Sequence, residues 1–518
     1  MRIRDAARAG ATDARCQPDR NLRQARPLQT YVIEDMLTTS TFIPRRAATS
    51  GAFLVLCILI LAGCSRQGDE PDRPTNARNV VLFIGDGMGV ATVTAARIYD
   101  GQNRGMDGES HSLRFEAFPN VALVKTYNTN QQVPDSAGTA TAILTGQKTR
   151  AGVINVAPEA LRGSCEGQQT LGLRSLASQA NARGLATGVV TTARLTHATP
   201  ATMYAQSVER NWESDRYVAE GCRDIAVQLI DDDHGAGLVV AMGGDRRNFF
   251  GSAGGGRRTE AGADLPADWL AAAPDRRYVT TAAEMRATEP GQRVLGLFSQ
   301  SHMTYMAERT PDTEEPTLTE MATHALELLQ EDPDGFFLMV ESGRIDHGHH
   351  DGKPGYALTE TQEFNRAIEA VMERVNPEET LVLVTADHSH VFTMGGYATR
   401  GNPILGLVVR NDEWGQAKST PELADDGQPY TTLGYYNGPG AVRGSRTAPD
   451  TGVDAVAQAL VPIRYLERDG SYTYDESHGG EDVAVYAIGP GSNQVRGVME
   501  QNRLYDVMAD ALGISDPQ

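Results

Sequence analysis

Positive charge is in short supply in this chain. Its 518 residues include 47 lysines and arginines against 67 aspartates and glutamates, for a formal net charge of −20. Binding a nucleic-acid backbone needs clustered cations, so nucleic acid is excluded as a partner. A small phosphate substrate is not excluded, because bound metal ions would reverse the local field. Cysteine is scarce as well, with five in the whole chain. Internal repeats are absent, and the glycine-rich piece SAGGGRR around Gly254–Gly256 lacks a phosphate-loop signature, so it reads as a surface turn. The long apolar run GAFLVLCILILAG, from Gly51 to Gly63, is too short for a comfortable transmembrane span. Otherwise the composition is that of a globular protein, 40% hydrophobic and 22% charged. The length allows several domains or one large α/β domain carrying insertions.

The N-terminal region does contain a targeting pattern. Arg45 and Arg46 precede the apolar run, and Cys64 follows it, the order of a secretory signal peptide. Leu61-Ala62-Gly63-Cys64 resembles the lipobox of bacterial lipoproteins, in which the cysteine is lipidated and becomes the first residue. An uncleaved membrane anchor is the alternative, and either way the body is exported and tethered, in the periplasm or at the cell surface. Residues 1–35 are Arg-rich without apolar periodicity, and Met36 would open a signal peptide of normal length. The expected organisation is therefore a start-site artefact over 1–35, a lipoprotein signal over 36–63 and a polar tether over 64–78. Cys16 and Cys57 lie upstream of the cleavage point, which leaves Cys165 and Cys222 in the body. An isolated pair in an oxidising compartment usually forms a disulfide, two free buried thiols being the alternative.

From Asn79 onward, apolar β-rich runs alternate with helical stretches. Strands are expected at Val80–Ile84, Ala186–Thr191, Leu238–Met242, Phe336–Val340, Leu381–Val384 and Val483–Ile488. Several are continuously apolar, as strands buried on both faces of a largely parallel sheet are. Helical patterns at Thr317–Gln330 and Leu358–Val375 complete an α/β fold, a largely parallel central sheet sandwiched by helices. The segment from about Phe392 to Asp475, rich in Gly, Pro, Thr and Tyr, breaks this rhythm and reads as a loop-rich insertion.

Chemistry-bearing residues recur where these strands end. Asp86 follows NVVLFI, Glu341 follows FFLMV and leads to Asp346 and His350, and Asp387-His388 follow LVLV. His478 stands just before VAVYAI. In open α/β sheets the chemistry collects beyond the carboxyl ends of the strands. Each residue alone is more often a turn or cap former, but mixed His and Asp ligands together suit zinc, and a Glu/Asp/hydroxyl set suits magnesium. Ser136, in VPDSAGTATAIL, opens a helical pattern, where free amides favour phosphate. It is either a helix cap or a nucleophile, and with no Ser-His-Asp spacing evident a nucleophilic role calls for metal activation.

These blocks resemble those of alkaline phosphatases, over about Asn79 to Gly513. VPDSAGTAT is similar to that family's nucleophile signature, and GDGMG, ESGRIDHGHH, TADHSHVF and HGGEDVAV resemble its metal blocks in the same order. The resemblance implies hydrolysis of phosphate monoesters through a phosphoserine on Ser136, with two zinc ions and one magnesium ion. It assigns Asp346, His350 and His478 to the first zinc, and Asp86, Asp387 and His388 to the second. Asp86 would also bridge to the magnesium, held by Thr199 and Glu341 with His197 in or near its surroundings. Arg210, in ERNW, would fork two phosphate oxygens.

The pattern is closer to the animal type than to the enteric bacterial one, through His197, His347, a Cys165–Cys222 disulfide and a crown-like insertion over about 392–475. Tyr397 resembles a tyrosine that reaches toward the partner subunit's active site, which implies a homodimer. One departure stands out: where animal enzymes have a Phe-Glu pair at a fourth, calcium site, this chain has Phe298-Ser299, which puts that site in doubt. Three rival readings fall away. A sulfatase needs a Cys/Ser-x-Pro-x-Arg motif, which is absent, and a phosphodiesterase of the wider superfamily usually has a Thr nucleophile and lacks Glu341 and Thr199. A phosphate- or metal-binding protein without catalysis would be expected to have lost Ser136 or a ligand, and none is missing.

Overall fold

The computed structural model describes residues 76–232, 234–466 and 472–514. The expected signal peptide, Cys64 and nearly all of the tether lie outside the described residues. The sheet strands of the first part are β1 (Asn79–Gly85), β2 (Asn120–Lys125), β3 (Ala186–Arg194) and β4 (Leu238–Gly244). They are followed by β5 (Arg276–Val279), β6 (Arg293–Leu297), β7 (Phe336–Ser342) and β8 (Thr380–Ala386). Short strands then leave the sheet: β9 (Ser389–His390), β10 (Phe392–Met394), β11 (Leu433–Asn437), β12 (Ala459–Val461), β13 (Tyr465–Leu466), β14 (Tyr472–Thr473) and β15 (His478–Gly479). The chain returns with β16 (Val483–Ile488) and β17 (Gly497–Glu500).

One ten-stranded sheet results, in the order β17-β2-β16-β8-β1-β7-β3-β4-β6-β5. Only β16 runs antiparallel to its neighbours β2 and β8, and every other pairing is parallel. All six expected strands are present, and the fold is the expected α/β sandwich. β7 and β8 are buried along their whole length because helices cover both faces, which is why their sequences are continuously apolar. Four strands were not foreseen, β2, β5, β6 and β17, and they form the two margins of the sheet. In β2 the exposed Val121 and Leu123 alternate with the buried Ala122 and Val124, and β5 and β17 are also partly exposed, so their apolar signal is weaker; β6 is buried after Arg293 but short, and Gly296 interrupts its apolar run.

Helix ends follow local chemistry. The helix Leu318–Leu329 is capped by Thr317, whose hydroxyl accepts from the Glu320 amide while the Glu320 carboxylate accepts from Thr317 N–H. The helix expected at Leu358–Val375 runs instead over Pro354–Met372, because proline, with its pre-set φ, serves as the first helical residue. Cys165 and Cys222 form a disulfide across 57 residues. Closing a loop of that length removes unfolded-state entropy equivalent to about 4 kcal/mol. The long excursion between β8 and β16 contains a small sheet, β10-β11-β12, and otherwise few regular elements among the described residues.

Candidate active site

Register alone assembles the floor of the site. Thr191 pairs with Glu341, Ile84 with Glu341, and Gly85 with both Ser342 and Ala386. The next residues, Asp86 and Asp387, therefore leave the carboxyl ends of adjacent strands side by side with Glu341. All three are fully buried. β16 runs the other way, so its leading residues reach the same edge, and β15 brings His478 opposite His390 of β9.

Three groupings emerge. In the first, His350 Nε2 lies 3.3 Å from Asp346 Oδ1 and 3.1 Å from His478 Nε2, while His478 Nε2 lies 3.5 Å from the same Asp346 oxygen. In the second, His388 Nε2 is 3.4 Å from both Asp86 Oδ1 and Asp387 Oδ2. Ser136 joins this one, its Oγ 3.1 Å from His388 Nε2. In the third, Asp86, His197 and Glu341 each offer a ligand atom within 4.8 Å of the others. Thr199 is fully buried, and its Oγ1 has no hydrogen-bond partner.

Ser136 opens the helix Ser136–Thr145 as its first residue, and the cap is Asp135, whose Oδ1 accepts from Gly138 N–H at 3.1 Å. The other Asp135 oxygen accepts from Arg210 Nη1 at 3.0 Å, and Arg210 Nη2 lies 3.0 Å from His197 Nε2. One carboxylate therefore both starts the serine's helix and anchors the arginine. His390 completes the floor, 2.9 Å from Asp346 Oδ1. Gly87 has φ +68°, and a Cβ there would stand 2.3 Å from His390 Nε2, so only glycine fits.

The electrostatics call for cations. Burial, then the carboxylates of Asp387, Asp346 and Glu341, push Asp86 well above the usual range. Burial also raises Asp387 and, with Asp387 nearby, lifts Glu341 to about 8. Both Asp86 oxygens and Glu341 Oε1 are buried without a hydrogen-bond partner. Buried carboxylates left unpaired in this way are strongly unfavourable unless a cation lies among them. Burial holds His388 well below its ordinary range, leaving it neutral as a metal-binding imidazole must be. Against the effect of burial, His350, His390 and His478 hold Asp346 well below the carboxylate range. The donor set of imidazoles and carboxylates fits zinc in the first two groupings, and the oxygen-rich third fits magnesium. The calcium position does not fit: the Ser299 hydroxyl donates to Ser301 O at 2.8 Å and offers no carboxylate.

Ser136, Arg210, Asp86, Asp346, His350, Asp387, His388, His478, Glu341, Thr199 and His197 are thus brought together. Tyr397 is not among them; it is 86% exposed, with φ +57°. Asp135, His390 and Glu476 escaped the sequence reading, although the first two lie inside the quoted motifs and Glu476 stands two residues before HGGEDVAV. The one local signal was Asp135, a good cap residue just before a helical pattern.

A largely parallel α/β sheet with a serine at a helix N-terminus, facing buried carboxylates and imidazoles at the strand ends, defines a hydrolase built around bound cations. The family model for alkaline phosphatase matches residues 77–514. The chain is 42% identical over 463 residues to the tissue-nonspecific alkaline phosphatase of Gallus gallus, covering 84% of each. It is 40% identical over 462 residues to an alkaline phosphatase of Gadus morhua, covering 84% of this chain and 91% of that one. Among solved structures, alkaline phosphatase from Thermus thermophilus superposes with a TM-score of 0.62 at 24% identity, over 86% of this chain and 93% of that one. The chain belongs to the alkaline phosphatase family and is a phosphoric monoester hydrolase.

Proposed function

We propose that this hydrolase works through a covalent phosphoserine on Ser136, with two zinc ions and one magnesium ion. The observation that carries the reading is the 3.1 Å approach of Ser136 Oγ to His388 Nε2, inside the grouping of Asp86, Asp387 and His388. Asp346, His350 and His478 would hold the first zinc, and Asp86, Asp387 and His388 the second. Glu341, Thr199 and Asp86, with His197 beside them, would hold magnesium. When bound, these ions make the serine hydroxyl and a water molecule nucleophilic near neutral pH and offset charge on the leaving oxygen.

The chain's own residues do the rest. The helix Ser136–Thr145 points its free amides at the phosphate, and Ser136 Oγ attacks phosphorus in line as the ester oxygen departs with the alcohol. Water then cleaves the phosphoserine, releasing inorganic phosphate and restoring the hydroxyl. Arg210, held by Asp135 and His197, would turn its guanidinium toward two phosphate oxygens.

Export and tethering belong to the same proposal: cleavage before Cys64, a lipid on its sulfur, and a periplasmic or cell-surface enzyme. The Cys165–Cys222 disulfide supports an oxidising compartment. A homodimer is also proposed, with Tyr397 directed at the partner subunit: the residue is 86% exposed even with the Arg410 guanidinium 5.6 Å from its ring centroid. The decisive experiment traps labelled phosphate from an aryl phosphate and maps it by mass spectrometry. Ser136 is expected to carry the label, and Ser136→Ala to abolish it; label on another residue overturns the proposal.

A further inference from the structure

We infer that Glu476 is a positioning residue for the first zinc, aiming Asp346 through its side chain and His350 through its main chain. The inference rests on the proposal that these residues hold that ion. Glu476 is fully buried, and a buried carboxylate is tolerated only when its oxygens are bonded. Its Oε2 faces His390 Nδ1 at 2.5 Å, and its Oε1 accepts the Val391 N–H at 2.8 Å. On the far side of the same ring, His390 Nε2 lies 2.9 Å from Asp346 Oδ1. With a carboxylate against each nitrogen, the imidazole acts as a strut between Glu476 and the first ligand.

The backbone of Glu476 serves the second ligand. Its carbonyl accepts from His350 Nδ1 at 2.7 Å, and its N–H donates to His350 O at 3.1 Å. That contact commits Nδ1 and leaves His350 Nε2 to face Asp346 and His478, as a metal-binding lone pair must. The third ligand is two residues downstream of Glu476, where β15 sets His478 opposite His390 and its Nδ1 donates to Pro134 O at 2.8 Å. Asp346 and His350 come from the helix Arg344–His350 and His478 from β15, elements far apart in the chain. Glu476 bridges to Asp346 by its side chain through His390 and to His350 by its main chain, and it precedes His478 by two residues.

The test uses the full chain, stripped of metal by dialysis and titrated with zinc against a chromophoric chelator. Wild type is expected to fill two zinc-class sites. Glu476→Ala is expected to lose about 10–100-fold in affinity at one of them and to leave the other unchanged. Cobalt(II) substituted at the affected site should show an altered visible spectrum. Glu476→Gln, which can still accept from Val391 N–H and donate to His390 Nδ1 but carries no charge, should fall between, and it carries the test if the alanine variant fails to fold. Because Glu476 and His390 act in series, the Glu476→Gln/His390→Gln double variant should lose less affinity than the sum of the two single losses. The melting temperature of the metal-free protein should be unchanged in Glu476→Gln, which separates aiming from folding. Unchanged zinc affinity and cobalt spectrum in both Glu476 variants overturn the inference. A wild-type protein that binds no zinc overturns instead the ligand assignment beneath it.

Discussion

The carboxyl edge of the central sheet and the excursion from β10 to β14 are built on opposite physical terms. At the sheet edge Asp86, Glu341, Asp387 and His388 have no exposed surface, whereas in the excursion Tyr397, Trp414 and Leu460 are 86%, 76% and 73% exposed. The edge is held by strand register between two helical layers. The excursion is held by turns, two- to five-residue strands and surface ion pairs such as Arg446–Asp426 and Lys418–Glu422. Surface pairs of this kind contribute little, because water and salt screen them. The contrast teaches where this chain gathers its buried carboxylates: on elements packed on both faces, where side chains cannot relax away from a shared point.

That contrast can be broken experimentally. The largest effect after loss of Ser136 itself is expected from Asp135→Ala, which removes both the helix cap and the Arg210 anchor. Turnover on an aryl phosphate should fall about 10²-fold, and stability by about 1 kcal/mol. Kinetics close to wild type, with only the stability loss, would mean that Arg210 is not held in advance of substrate.

A second prediction concerns charge buried behind the edge. The Thr196 hydroxyl lies 2.7 Å from Glu213 Oε2 and also bonds Asp245 Oδ2, while Arg194 pairs with Glu213 at 2.6 Å. Burial and the Glu213 charge push Asp245 up to about 8, whereas Arg194, working against burial, holds Glu213 below its usual range. For Asp245 the folded pKa lies above the unfolded value of about 4, so the folded state binds the extra proton. Its contribution is therefore full below about pH 4 and is lost as pH rises toward about 8. Glu213 has the opposite sign, and its contribution is lost only in acid. Melting temperatures between pH 5 and 9 should decline for the wild type and decline less for Asp245→Asn; parallel curves would refute the protonated Asp245.

The smallest effects belong to the excursion. Tyr397→Ala should leave monomer stability almost untouched while weakening dimerisation and changing KM, read by light scattering alongside kinetics. A fully active monomer at micromolar concentration would remove the partner role. Trp414→Ala, at a comparably exposed site, should change stability by less than about 0.5 kcal/mol. A large loss there would show that the excursion has a core of its own and would blur the contrast.

Much of the edge is legible in the sequence. Continuous apolar runs marked β1, β3, β4, β7, β8 and β16, and the acidic and imidazole residues beside them marked the site. β2, β5 and β17 were not legible, because solvent on one side removes the continuous run that signals a buried strand. The direction of β16 was not legible either: a strand reads the same both ways, so its antiparallel course, which delivers His478 to the correct edge, emerges only from pairing. Asp135 was visible as a cap residue before a helical pattern but not as the arginine's partner, since Arg210 lies 75 residues away.

By itself the sequence determined the layer architecture, the serine's helix-start position and the set of residues able to hold cations. Those depend on local periodicity and on side-chain chemistry, which are written residue by residue. Tertiary structure alone decided which donor faces which: that Thr191, Glu341, Asp86 and Asp387 stand in a row, that Arg210 turns on Asp135, and that Glu476 braces His390 and His350. Such contacts join segments tens to hundreds of residues apart. Their geometry is set by strand register and close packing, which no local pattern encodes.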